Sequence, residues 1–288
     1  MPRISLDTFL ASASGNRFRE LYRAAWNMCD APASTLTVES LWAKTHVTTL
    51  GSVAATPLVL LPGAGATSAA WARVAGTLAH AGYRIIAVDL PGDPGLSSRE
   101  DALRSAADLY DWLDDVLIQL GVKSAALVGH SYGAMVATGY ALARPQRTCR
   151  IALLDPTGIM RAIAPTTAVR AIPLLLRPSG ARLRAFYDWE SRGQIAESAW
   201  RELAEYAAEA FPARRPLIPH KLRIDQLDVP VSVILAANSR YHDTGHIERI
   251  IARDLPTADV QTIGASHHML PQQPSHEVSR AILGALSC

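Results

Sequence analysis

The stretch Ala125-Ala126-Leu127-Val128-Gly129-His130-Ser131-Tyr132-Gly133-Ala134-Met135-Val136-Ala137 decides the fold. A short apolar run of strand type leads into G-x-S-x-G, and helix formers continue from there to Ala143. The pattern alone could be a chance match on a loop; a strand before the serine turn and a helix after it favour a nucleophile elbow. The turn is tight enough to strain the serine backbone, and side chains at the flanking glycines would clash. The strain lifts the Ser131 hydroxyl clear of the sheet, within reach of a base and a substrate. The following helix points its positive end at the same spot.

Outward from the elbow, short apolar strands alternate with helices. Toward the N-terminus lie Leu58-Val59-Leu60-Leu61, a helix from Trp71 to Ala81 stopped by Gly82, a strand from Arg84 to Leu90, and a helix from Ser105 to Leu120 stopped by Gly121. Thr35 to Glu39 and Thr45 to Leu50 are β-like and suit an opening antiparallel pair. Phe18, Leu21, Tyr22, Ala25 and Cys29 fall at helical spacing within residues 16 to 29. Toward the C-terminus come the strands Arg150 to Asp155, Val231 to Leu235 and Asp259 to Ile263, then a helix from about Ser275 to Leu286. This alternation predicts an α/β fold with a mostly parallel sheet covered on both faces.

One segment breaks the rhythm. Residues 159 to 227 hold Pro165, Pro173, Pro178, Pro212, Pro216 and Pro219 with helical pieces between them, one carrying Phe186, Tyr187 and Trp189. The expectation is a helical lid over 159–227, inserted between the sixth and seventh strands, with 1–158 and 228–288 forming the core; a mere surface elaboration is the alternative. Its position at the strand ends would set it over the site.

Composition narrows the class. Of 288 residues 49% are hydrophobic, ample for a sizeable core. The formal net charge is only +2 and no long basic run occurs, so neither nucleic acid nor an anionic membrane is the expected partner. Cys29, Cys149 and Cys288 share no metal or redox spacing and read as reduced bystanders. The start Met1-Pro2-Arg3-Ile4-Ser5 lacks an apolar signal core, and no run reaches transmembrane length. A cytoplasmic protein acting on a small molecule, without a cofactor, is the expectation. Gly63-Ala64-Gly65 lacks the lysine and hydroxyl of a phosphate loop. His242 and His246, four apart, could share a helix face, but no third ligand of clear spacing accompanies them, so no metal is expected.

From about residue 35 to the end, the chain resembles the α/β-hydrolase superfamily. Four blocks carry the resemblance: Leu60-Leu61-Pro62-Gly63-Ala64-Gly65, Asp89-Leu90-Pro91-Gly92, the elbow, and Gly264-Ala265-Ser266-His267 with Pro274 seven residues beyond the histidine. Gly92-Asp93-Pro94-Gly95-Leu96-Ser97 is similar to a G-D-x-G-x-S segment of capped bacterial carboxylesterases. The resemblance implies Ser131 as nucleophile, His267 as base, and an oxyanion hole from the N–H groups of Ala64 and Tyr132. His268 is then a wall or surface residue, and His130 packs beneath the elbow. Pro62 replaces the histidine usual in the first block, which leaves backbone donors possible.

The acid departs from the family pattern. The usual position holds Ser239, which cannot carry the charge that orients an imidazole. Asp155 at the end of the sixth strand and Asp243 on the later loop are the two substitutes, and absence of a working acid is the third possibility. Asp155 could equally be a capping aspartate before Pro156. A serine activated by a neutral histidine suits ester hydrolysis through an acyl-enzyme. Thioester, lactone, carbon–carbon or cyclisation chemistry fits the same groups, and a ligand-binding protein without hydrolysis is the alternative class. A serine at the elbow argues against haloalkane dehalogenase and epoxide hydrolase chemistry, which resemblance associates with an aspartate there.

Overall fold

The computed structural model describes residues 4–158, 164–219 and 222–287. Met1, Pro2, Arg3, Cys288 and the start of the expected insertion at Ile159 lie outside the described residues. Eight strands form one sheet: β1 (Ala33–Glu39), β2 (Lys44–Leu50), β3 (Thr56–Leu61), β4 (Tyr83–Val88), β5 (Ala125–His130), β6 (Thr148–Leu154), β7 (Val231–Ala236) and β8 (Asp259–Ile263). Their order is β1-β2-β4-β3-β5-β6-β7-β8. Only β1 with β2 and β2 with β4 pair antiparallel; the remaining neighbours are parallel.

The helices are α1 (Leu6–Leu10), α2 (Ala13–Trp26), α3 (Ala72–His80), α4 (Ala106–Gln119), α5 (Tyr132–Ala143), α6 (Pro165–Leu176), α7 (Gly180–Ser191), α8 (Ala199–Ala210), α9 (Thr244–Asp254) and α10 (Ser275–Ser287). The strand period of two divides the core into two layers. Leu58, Leu60, Val128 and Leu154 face α3 and α10, while Val59, Leu61, Leu127 and Leu153 face α4 and α5. Burying a leucine such as Leu60, fully enclosed here, contributes roughly 1.5–3 kcal/mol. Parallel strands therefore read as continuous apolar runs, because both faces are covered.

The N-terminal pattern of residues 16 to 29 starts three residues earlier, as α2, with the short α1 before it. Ser12 caps α2 by accepting from Gly15 N. This helix packs on α8. Phe9 and Phe18 close on Phe211, just past α8, at ring-centroid distances of 5.2 and 5.1 Å. Tyr22 Oη donates to Asp89 Oδ2 at 2.9 Å, so α2 ties α8 to the sheet. Among the described residues no helix is long and apolar enough to cross a membrane.

Candidate active site

Ser131 lies between β5 and α5 with φ 52° and ψ −113°, a conformation that costs free energy in any residue but glycine. The flanking glycines are required by space. A Cβ on Gly129 would come within 2.3 Å of Gly133 O, and one on Gly133 within 2.1 Å of Leu61 O. The turn closes only because both are hydrogen. Ser131 N donates to Leu154 O at 3.0 Å, which keeps the elbow in register with β6.

His267, in a single 3₁₀ turn after β8, faces this hydroxyl. Its Nε2 lies 3.1 Å from Ser131 Oγ, and its Nδ1 lies 2.7 Å from Asp155 Oδ2. A carboxylate can only accept, so Nδ1 carries the proton and Nε2 offers a lone pair to the Ser131 O–H. Burial lowers the proton affinity of His267 below its ordinary value, and the Asp155 hydrogen bond opposes that without reversing it. The imidazole is therefore neutral near pH 7 and able to take a proton. Thr157 Oγ1, 3.0 Å from Ser131 Oγ, supplies a second hydrogen-bond partner to the hydroxyl.

Asp155 directly follows β6 and is fully buried, with φ 42°. Burial pushes its pKa up, but hydrogen bonds from His242 and His267 outweigh that and hold the carboxyl well below the usual carboxylate range. Its second oxygen, Oδ1, accepts from Ala236 N at 3.1 Å and from His242 Nε2 at 3.0 Å. Both oxygens of this buried anion are thus satisfied, as an uncompensated buried charge would cost several kcal/mol.

Asp243 takes no part in this cluster. It is exposed and caps α9, accepting from His246 N at 3.0 Å. Ser239 Oγ accepts from Tyr241 N at 3.2 Å and tightens the loop after β7. That loop brings Tyr241 and His242 inward. Tyr241 stacks on the His267 ring at 4.2 Å and 15°. His242 precedes α9 and so shares no helix face with His246, contrary to their spacing; its partner is Asp155. Among the described residues no cluster of histidine, cysteine and carboxylate groups could hold a metal ion. His130 is buried beneath the elbow, and its Nε2–H donates to His267 O at 3.1 Å.

Helix α7 packs against the turn that carries His267. Glu190, wholly buried, accepts from His267 N at 3.0 Å and from His268 N at 3.1 Å. The Phe186 and Tyr187 rings lie 5.3 and 4.9 Å from His268. Sequence reasoning singled out neither Glu190 nor Thr157. A glutamate in a helix rich in aromatics has no motif, and only its burial marks it.

The loop after β3 passes over the elbow. A Cβ on Gly63 would meet His130 Nδ1 at 3.0 Å and Ser131 Cβ at 3.4 Å, so Gly63 allows a close approach and Ala64 follows it directly. Asp93 anchors this loop, its Oδ1 accepting from Gly65 N at 3.0 Å. Burial pushes the Asp93 carboxyl up to about 7, against the opposing pull of the Gly65 N–H and of Arg99. Tyr132 begins α5, and its hydroxyl donates to Leu217 O and accepts from Leu217 N at 3.0 and 3.1 Å.

The comparisons with known proteins agree with this architecture. A model of the "Alpha/beta hydrolase family" matches residues 58–281. Carboxylesterase YbfK of Bacillus subtilis (strain 168) is 24% identical over 96% of both chains. Its crystal structure superposes with a TM-score of 0.86 at 21% identity, covering 96% of this chain and 99% of that one. The naproxen esterase structure from the same species gives 0.84 at 21% identity, over 95% and 98%. The chain, a hydrolase enzyme built on an eight-stranded, mostly parallel sheet, belongs to the alpha/beta hydrolase family.

Proposed function

We propose that the protein is a serine carboxylesterase that cleaves a small, largely apolar ester through Ser131, His267 and Asp155. The observation that carries this reading is the pair of hydrogen bonds linking Asp155 to His267 at 2.7 Å and His267 to Ser131 at 3.1 Å. Its likeness to a carboxylesterase along nearly all of both chains supports it. Ser131 Oγ attacks the ester carbonyl as its proton passes to His267 Nε2, and the buried Asp155 anion offsets the imidazolium. The N–H groups of Ala64 and Tyr132 receive the oxyanion. His267 returns the proton to the departing alkoxide. It then takes one from the water that attacks the acyl carbonyl and passes it to Ser131 Oγ as that oxygen leaves, so the carboxylic acid departs and Ser131 and neutral His267 are restored.

The segment carrying α6 to α8 serves as the lid in this reading. Support comes from α7, which puts Phe186, Tyr187 and Glu190 against the His267–His268 turn. Those aromatic rings favour an apolar acyl or alcohol part. The thiols of Cys29 and Cys149 are free, which suits a cytoplasmic setting. A fluorophosphonate probe, with mass mapping of the adduct, tests the reading. Labelling at Ser131 and turnover of short p-nitrophenyl esters are expected; no adduct and no turnover would overturn it.

A further inference from the structure

Glu190 belongs to α7 and meets the main chain of His267, whereas Asp155 meets its ring. It is a buried anion. Burial alone would raise its pKa, yet hydrogen bonding from His268 outweighs this and brings it to about 2. Its Oε1 accepts from His267 N at 3.0 Å and from Arg240 N at 3.4 Å. Its Oε2 accepts from His268 N at 3.1 Å and from His268 Nδ1 at 3.2 Å. One carboxylate from α7 therefore gathers three main-chain N–H groups from two separate loops. The first loop carries His267. The second carries Tyr241, stacked on that ring, and His242, bonded to Asp155.

We propose that Glu190 is a positioning residue that fixes His267 from α7, so that the base is assembled only while this helix is seated on the site. The inference rests on the serine-hydrolase reading and goes beyond it. Glu190 has no bond to Ser131; it acts through the His267 backbone. The His267 ring is aimed by its own main chain, and a displacement of about 1 Å can cost roughly 100-fold in rate. A buried carboxylate satisfied by N–H donors is also expensive to strand, so α7 and the two loops keep or lose their arrangement together.

The charge has a second consequence. The groups around the His267 imidazole are Asp155 from the end of β6, His130 and Ser131 from the elbow, Tyr241 and His242 from the loop after β7, His268 beside it, and Glu190 from α7. Asp155 and Glu190 are the anions among them. Both raise the proton affinity of His267. Neutralising Glu190 should thus make His267 easier to deprotonate.

The test compares wild type with E190Q and E190D, all checked for folding by circular dichroism. With a short p-nitrophenyl ester, E190Q should lose about 100-fold in kcat, and the acid limb of kcat/KM should move to lower pH. E190D keeps the charge but is one methylene shorter. It should lose kcat while its acid limb stays at the wild-type pH. A folded E190Q with wild-type kcat and an unmoved limb would overturn the proposal, whatever its thermal stability. If E190Q does not fold, wild-type kcat in E190D overturns it. Fluorophosphonate labelling separates the two readings. Absence of label on wild-type Ser131 removes the hydrolase reading itself, whereas equal labelling rates in wild type and E190Q remove only the role of Glu190.

Discussion

Asp155 Oδ2 accepts a hydrogen bond from His267 Nδ1 at 2.7 Å across a separation of 112 residues. Asp243, the other carboxylate compatible with the sequence, caps α9 instead. Asp155→Asn should preserve shape but present an amide to Nδ1, favouring the wrong tautomer of His267. A loss of about 10⁴ in kcat is expected. Asp243→Asn should leave kcat near wild type, since asparagine caps a helix as well as aspartate does. Steady-state kinetics on one p-nitrophenyl ester checks both, and a reversed order of severity would reassign the acid.

Ser131→Ala removes the attacking oxygen and nothing else of size. Turnover should fall roughly 10³-fold or more, with a residue left by oxyanion binding. Relief of the φ 52° strain is limited, because alanine also carries a Cβ. The melting temperature should therefore stay close to wild type. Residual activity at the wild-type level would end the serine mechanism.

The two adjacent histidines should separate cleanly. His267→Ala should match the serine change in severity, and His268→Ala, which touches Glu190 but not Ser131, should be much milder. In the proposed mechanism His267 works in its neutral form, so kcat/KM should rise with pH through its titration. Burial places that rise below the ordinary histidine value of 6.5. A rising limb centred well above 6.5 would mean that the base is less buried, or that another group limits the rate.

Asp93 offers a test that does not depend on catalysis. Its folded pKa, about 7, lies above the unfolded carboxylate value. The folded state therefore binds more protons than the unfolded state between about pH 4 and 7. Its contribution is fully present below the unfolded pKa and is lost as pH rises through the folded one. Asp93→Asn keeps an oxygen for the Gly65 N–H and removes the buried charge. It should raise the urea midpoint at pH 8, by a stability on the order of a few kcal/mol, and change it little at pH 4. Equal effects at the two pH values would show that Asp93 is not held protonated.

Much of this protein was legible in the chain itself. The elbow, the strand–helix alternation and the break after β6 are short-range patterns, and each is enforced by neighbours a few residues away. Gly129 and Gly133 illustrate this: the clash that excludes any side chain arises within the elbow and with the adjoining β3 end. The alternation of Leu58, Val59, Leu60 and Leu61 between two buried layers is equally local. His267 could be found from its distance to Pro274 along the chain. The choice between Asp155 and Asp243 could not, nor could the inward turn of His242 or the grip of Glu190 on His267. Those depend on which strand ends the parallel register brings side by side, and on where α7 lands after a long excursion from the sheet. A carboxylate before a proline, a histidine in a loop and a glutamate in a helix look alike wherever they fall. Only burial and the donors that meet them in space separate a helix cap from the partner of a histidine, because a charge taken out of water must find its hydrogen bonds there.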